Sequence, residues 1–108
     1  MVLLTTTGHK TGKKRTTPLL YGRDGNRIVV VASNGGRSRS PAWWTNLRFN
    51  PEAEAQIKGD KWRVKAETAS DDEKARLWPL MIGVFPTYEK YQQKTKRVIP
   101  VVTLAPIG

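Results

Sequence analysis

The chain has 108 residues, 38% of them hydrophobic, with a mean hydropathy of −0.53 and no cysteine. That is enough for one domain with a single core, and it excludes a disulfide framework and thiolate metal sites. The net charge is +10 and lopsided: residues 1–50 carry nine Lys and Arg against Asp24 alone (+8), and residues 51–108 carry ten against eight acids (+2). A field of that sign attracts phosphates, nucleic acid, anionic membrane surfaces or a polyanionic cofactor. The longest apolar run, Ile28–Ala32, is too short to cross a bilayer, and Met1–Leu4 is too brief for a secretory leader. A cytoplasmic location is expected, with peripheral contact at a membrane surface as a further option.

In chain order, Val2–Thr7 and Arg15–Arg23 read as strands around a Gly8–Lys14 turn. Asp24-Gly25-Asn26 is a hairpin signal, and Arg27–Ala32 is a strand apolar on both faces. Ser33-Asn34-Gly35-Gly36 breaks it. Ser40-Pro41 reads as a cap and first residue of a short helix presenting Trp43, Trp44 and Leu47, stopped at Asn50-Pro51. Glu54–Lys58 and Lys61–Thr68 form a hairpin over Gly59-Asp60, with Trp62, Val64 and Ala66 alternating against Arg63, Lys65 and Glu67. Ser70 and Glu73 form a capping box, and Leu77, Leu80, Met81, Val84 and Phe85 make one helical stripe that Pro79 should kink or divide. Pro86 opens a helix carrying Tyr88 and Tyr91, and Pro100–Leu104 is a last strand. Six mostly antiparallel strands with inserted short helices predict a small barrel-like α+β fold.

The Leu4–Pro18 stretch gathers His9, Lys10, Lys13, Lys14 and Arg15 with six threonines and two glycines. Glycines let backbone N–H groups converge, and hydroxyls and cations add donors, so this is an anion-binding turn by chemistry. It is not a P-loop: only three residues separate Gly8 from Gly12, and Lys14 stands where a magnesium-binding hydroxyl is needed. His9 is the only histidine, so a metal site is not expected. Ser33 lacks an evident general base and reads as a hydrogen-bond donor beside a second nest of N–H groups at Asn34-Gly35-Gly36. Trp62, Trp78 and one of Trp43 and Trp44 fall on faces the pattern buries, which weakens a base-stacking role in nucleic-acid binding.

Thr5–Gly12, Arg15, Pro18–Tyr21, Val30–Gly36, Pro41–Leu47, Asn50-Pro51, Trp78-Pro79, Pro86-x-Tyr88-x-x-Tyr91 and Ile99–Val102 together resemble, nearly end to end, the deazaflavin-dependent nitroreductase family of actinobacteria. The resemblance implies a split β-barrel that binds coenzyme F420 and passes hydride from its reduced form to an electron-poor small molecule, quinone-like or nitroaromatic. By position, His9, Lys10, Thr11, Gly12, Lys13 and Arg15 would hold the phosphate region, and Pro18, Ala32, Ser33, Asn34 and Gly35 would line the deazaflavin rings. Ala42, Trp43 and Asn46 would close the other side. Ser33, Tyr88 and Tyr91 would orient the acceptor and help deliver a proton. The chain departs from the family pattern at His9, Asn34 and Phe85, and it reaches its first strand without the N-terminal segment that relatives carry. Three other readings stay open: a non-catalytic F420 carrier, an FMN-binding split barrel, and a basic nucleic-acid-binding domain.

Overall fold

The computed structural model describes residues 1–107. Seven strands form one antiparallel sheet: β1 (Val2–Thr7), β2 (Lys14–Leu19), β3 (Gly22–Asp24), β4 (Arg27–Val31), β5 (Glu52–Ile57), β6 (Asp60–Thr68) and β7 (Val101–Pro106). Their spatial order is β2-β1-β5-β6-β7-β4-β3. The expected strand Arg15–Arg23 is therefore two strands on opposite edges, β2 against β1 and β3 against β4. Laid flat, seven strands would hold those edges about 29 Å apart. Leu19 and Gly22 are three residues apart, a reach of at most about 11 Å. The sheet must curl until its edges nearly meet, which makes it a barrel left open between β2 and β3. Leu20 and Tyr21 leave the sheet because no continuous strand can serve both edges.

The barrel interior is filled by Val2, Leu4, Ile28, Val30, Val64 and Leu104, capped by Trp43 and Leu47 of α1 (Ala42–Phe49). Val29, Val31 and Val101 point the other way and pack under Leu77 and Met81 of α2 (Asp71–Val84) and Tyr88 of α3 (Thr87–Lys94). The two-faced burial expected for the Arg27–Ala32 segment is observed, and β6 alternates as its sequence indicates. All four tryptophans pack on one core or the other.

Several local expectations change. Pro41 is itself the cap residue of α1, with no side-chain cap from Ser40. Lys58 turns the β5–β6 corner at φ +56°, one residue before the expected turn pair. Ser70 Oγ accepts from Glu73 N–H at 3.3 Å, but the Glu73 carboxylate reaches Arg27 at 3.2 Å instead of completing a capping box. Pro79 does not divide α2, because its ring and Ala75 are exposed, so water can meet the carbonyl that proline leaves without a donor. Leu80 and Val84 lie 39% and 38% exposed, since the buried stripe runs through Leu77, Trp78, Met81, Ile82 and Phe85.

Candidate functional site

The β1–β2 loop is closed on itself and pinned to α1. Gly8 N–H donates to Lys13 O and Gly12 N–H to Gly8 O, both at 2.8 Å, and Gly12 takes φ +71°, where a Cβ would be strained. Asn46, 5% exposed on α1, is the fastener. Its Nδ2 donates to Thr6 Oγ1 at 3.1 Å, and its Oδ1 accepts from His9 N–H at 3.1 Å and from His9 Nδ1 at 2.9 Å. That pattern puts an imidazole proton on Nδ1. The His9 ring lies flat on Phe49, centroids 4.9 Å apart and planes at 14°. The single histidine is a strut between loop and helix.

Beside this loop opens a cavity of about 370 Å³. Lys10 and Arg15 supply charge, Thr11 and Thr16 supply hydroxyls, and Ala42 and Trp43 form the wall. A second cavity, of about 630 Å³, continues from it: Thr17, Ala42 and Trp43 belong to both. Pro18, Leu19 and Leu20 line one side of this larger space, Ser33, Asn34 and Gly35 another, and Phe85, Tyr88 and Tyr91 a third. One groove thus has an end lined by cations and hydroxyls and an end lined by aromatic and aliphatic side chains together with Ser33, Asn34, Arg39 and Ser40.

The Ser33–Gly36 turn runs from right-handed backbone at Ser33 (φ −77°, ψ −35°) to positive φ at Asn34, Gly35 and Gly36 (47°, 65° and 78°). The turn closes on itself, with Gly36 N–H donating to Ser33 O at 2.9 Å and Arg37 N–H to Asn34 O at 3.2 Å, so the Gly36 donor of the nest expected at Asn34-Gly35-Gly36 is already engaged. The Ser33 hydroxyl makes no cap bond. Arg97 holds the turn from behind: Nη2 donates to Ser33 O at 2.7 Å and Ala32 O at 3.1 Å, and Nε donates to Arg37 O at 2.9 Å. Gly36 backs onto α3 so closely that a Cβ would sit 3.0 Å from Tyr91 Cα and O. Across the cavity, Phe85 and Tyr88 meet edge to face at 5.0 Å, and Tyr91 lies 6.4 Å from Tyr88. Burial, and then Tyr91, push the Tyr88 phenol above its ordinary pKa, so it stays protonated at neutral pH.

Of the residues expected to form a site, His9, Lys10, Thr11, Arg15, Ala42, Trp43 and Asn46 line the smaller cavity. Pro18, Ser33, Asn34, Gly35, Tyr88 and Tyr91 line the larger one. Three line neither. Ala32 is sealed in the barrel core, and Gly12 and Lys13 are exposed on the loop. Sequence reasoning counted Thr16 and Thr17 among the hydroxyls of the anion-binding turn but gave them no place against the cofactor, although both line the groove between Arg15 and Pro18. It passed over Arg97, which acts only through backbone carbonyls and leaves no motif.

Comparison with known proteins gives a consistent picture. Residues 1–106 match the family model of the F420H2-dependent quinone reductases. A Mycobacterium tuberculosis H37Rv protein named F420H2-dependent quinone reductase is 43% identical over 106 residues, 95% of this chain and 71% of that one. A second protein from that strain, described with the same activity, is 42% identical over 105 residues, 97% of this chain and 88% of its own. A solved structure described as an F420-H2 dependent reductase superposes with a TM-score of 0.87 at 36% identity, covering 95% of this chain and 91% of the other.

Proposed function

Because this chain belongs to the F420H2-dependent quinone reductase family, a family of oxidoreductases whose hydride donor is reduced coenzyme F420, we propose that its acceptor is a quinone-like, electron-poor small molecule seated at the aromatic end of the groove. The observation that carries this reading is the joining of two unlike cavities at Thr17, Ala42 and Trp43. The cofactor's phosphate suits the end where Lys10, Arg15 and the hydroxyls of Thr11 and Thr16 converge. Its planar rings suit the end bounded by Pro18, Trp43 and the Ser33–Gly35 turn. The donor set therefore fits the group, with anion ligands at one end and aromatic and aliphatic walls edged by hydrogen-bonding groups at the other.

When bound, reduced F420 supplies the hydride. The residues of this chain bind, orient and provide protons. Lys10 and Arg15 grip the anion. Trp43 and Leu19 exclude water from the ring end. The acceptor would lie among Phe85, Tyr88 and Tyr91, where flat apolar surface favours a quinone ring. A quinone that takes up hydride gains negative charge on oxygen and needs one proton to become the hydroquinone. The protonated Tyr88 phenol and the uncapped Ser33 hydroxyl are the donors at hand.

The test begins with cofactor binding. Titration with F420 should quench tryptophan fluorescence, since Trp43 belongs to both cavities, and Lys10→Ala together with Arg15→Ala should remove most of the affinity. Purified protein should then oxidise reduced F420 with menadione. Failure to bind at tens of micromolar cofactor overturns the site. Tight binding without turnover on menadione or other quinones overturns the proposed acceptor and favours a carrier.

A further inference from the structure

A third cavity, of about 500 Å³, adjoins the larger one and is walled by Asn34, Gly36, Arg37, Ser38, Arg39 and Lys94. Asn34 and Arg39 line both, so the two spaces share a side. The wall is braced. Asn34 Nδ2 donates to Arg39 O at 2.9 Å, Arg97 Nε fixes Arg37 O at 2.9 Å, and Gly36 sets the turn directly against Tyr91. Tyr91 faces the larger cavity, and Lys94 stands one turn further along α3 with Lys90 behind it on the same helix face.

The lining of this cavity is strongly cationic, with three cations against two at the smaller cavity of the groove and one at the larger. Three cations line it and no carboxylate does. Four cations of the surface are matched: Arg27 and Arg76 with Asp24 and Glu73, Lys61 with Glu54, and Arg63 with Glu52. Among the described residues, Arg37, Arg39 and Lys94 form no ion pair. Like charges gathered round a concavity repel one another and focus a field that a bound anion relieves. The cofactor's phosphate does not explain them, because its cationic end at Lys10 and Arg15 lies beyond the Ala42–Trp43 wall.

We propose that this cavity is an anion subsite for the acceptor: the enzyme takes electron-poor rings that carry a carboxylate or sulfonate substituent, held by Arg37, Arg39 and Lys94. The inference rests on the reading of the larger cavity as the acceptor site. A carboxylate on the cofactor's tail offers the same chemistry, and the experiment separates the two sources.

Oxidation of reduced F420 is measured with menadione and with a sulfonated naphthoquinone, in the wild type and in Arg37→Gln/Lys94→Gln, neither of which lines the larger cavity. Expected is a fall of about five- to tenfold in the ratio of kcat/KM for the sulfonated over the neutral acceptor, carried by KM, since each exposed pair contributes only a few-fold. Menadione turnover and F420 affinity stay at wild-type values, and the difference shrinks in about 0.5 M salt. Without turnover, naphthalenesulfonate should bind the wild type more tightly than naphthol does, and the double variant should lose that preference. An unchanged acceptor ratio overturns the proposal. So does weakened F420 binding with the ratio intact, which assigns the cations to the cofactor's tail. If the wild type reduces neither quinone, the acceptor reading itself has failed, and naphthalenesulfonate binding alone decides the subsite.

Discussion

Asn46 offers the sharpest test of how the loop is held. Asn46→Ala removes three hydrogen bonds at once. The Thr6 hydroxyl, on a residue 1% exposed, loses its donor inside the protein, at about 1–3 kcal/mol. The two bonds to His9 lie at an exposed loop where water can replace them, so they add about 0.5 kcal/mol each. The sum is about 2–4 kcal/mol, a large share of the stability of a domain this size. It corresponds to a fall of about 9–18 °C in Tm. Urea unfolding followed by tryptophan fluorescence reads the stability, and F420 titration reads the loop. Asn46→Asp separates the two effects. A carboxylate still accepts from His9 N–H, and the Thr6 hydroxyl can reverse and donate to it, so much of the stability returns. The new negative charge sits at the anion end of the groove and weakens F420 binding by about tenfold or more. An Asn46→Ala protein within about 0.5 kcal/mol of wild type, with unchanged F420 affinity, would refute the claim that this side chain fastens the loop.

Other perturbations follow from the same geometry. Gly36→Ala adds a Cβ against Tyr91 backbone at a positive φ, so we expect a loss of about 1–3 kcal/mol in urea unfolding and altered near-ultraviolet circular dichroism from the displaced aromatic trio. Tyr88→Phe should lower quinone turnover about tenfold or more while leaving F420 affinity intact. Because burial and Tyr91 raise the Tyr88 phenol, a pH–rate profile of the wild type should show no decline from its ionisation below about pH 10. Asp24 is held well below the usual carboxylate range by hydrogen bonds from Arg76 and then Arg27. A depressed folded pKa means that its stabilisation is complete above about pH 4 and is lost as pH falls further. Asp24→Asn should therefore flatten the acid side of the stability–pH curve, measured by urea midpoints from pH 7 downward; an unchanged acid limb would count against the link from the β3–β4 hairpin to α2.

What could be read from the sequence was local. Asp24-Gly25 announced its hairpin, Gly25 at φ +62°, and the alternation of Trp62, Val64 and Ala66 announced which side of β6 is inside. Lys10, Arg15 and Ser33 declared themselves by chemistry. What escaped depended on distant closure. Leu19 through Tyr21 keep strand-forming character, yet the chain leaves the sheet at Leu20 and Tyr21 because β2 and β3 must serve opposite edges. Ala32 shares a strand end with Ser33, yet it faces the core, and one residue of alternation separates a lining position from a sealed one. Asn46 was expected against a ligand. Its bonds to Thr6 and His9 became visible only once α1 was laid across β1.

The position of β7 has a consequence for how the chain reaches this state. Of the seven described strands β7 is made after the other six, and it lies between β6 and β4 with partners on both sides. Until residues 101–106 arrive, the ribbon β2-β1-β5-β6 and the ribbon β4-β3 share no backbone hydrogen bond, and Leu20 and Tyr21 tether two unjoined pieces. Neither half of the interior can be sealed before β7 has been made. Assembly therefore waits for β7, and its rate is set by long-range pairing more than by any early hairpin.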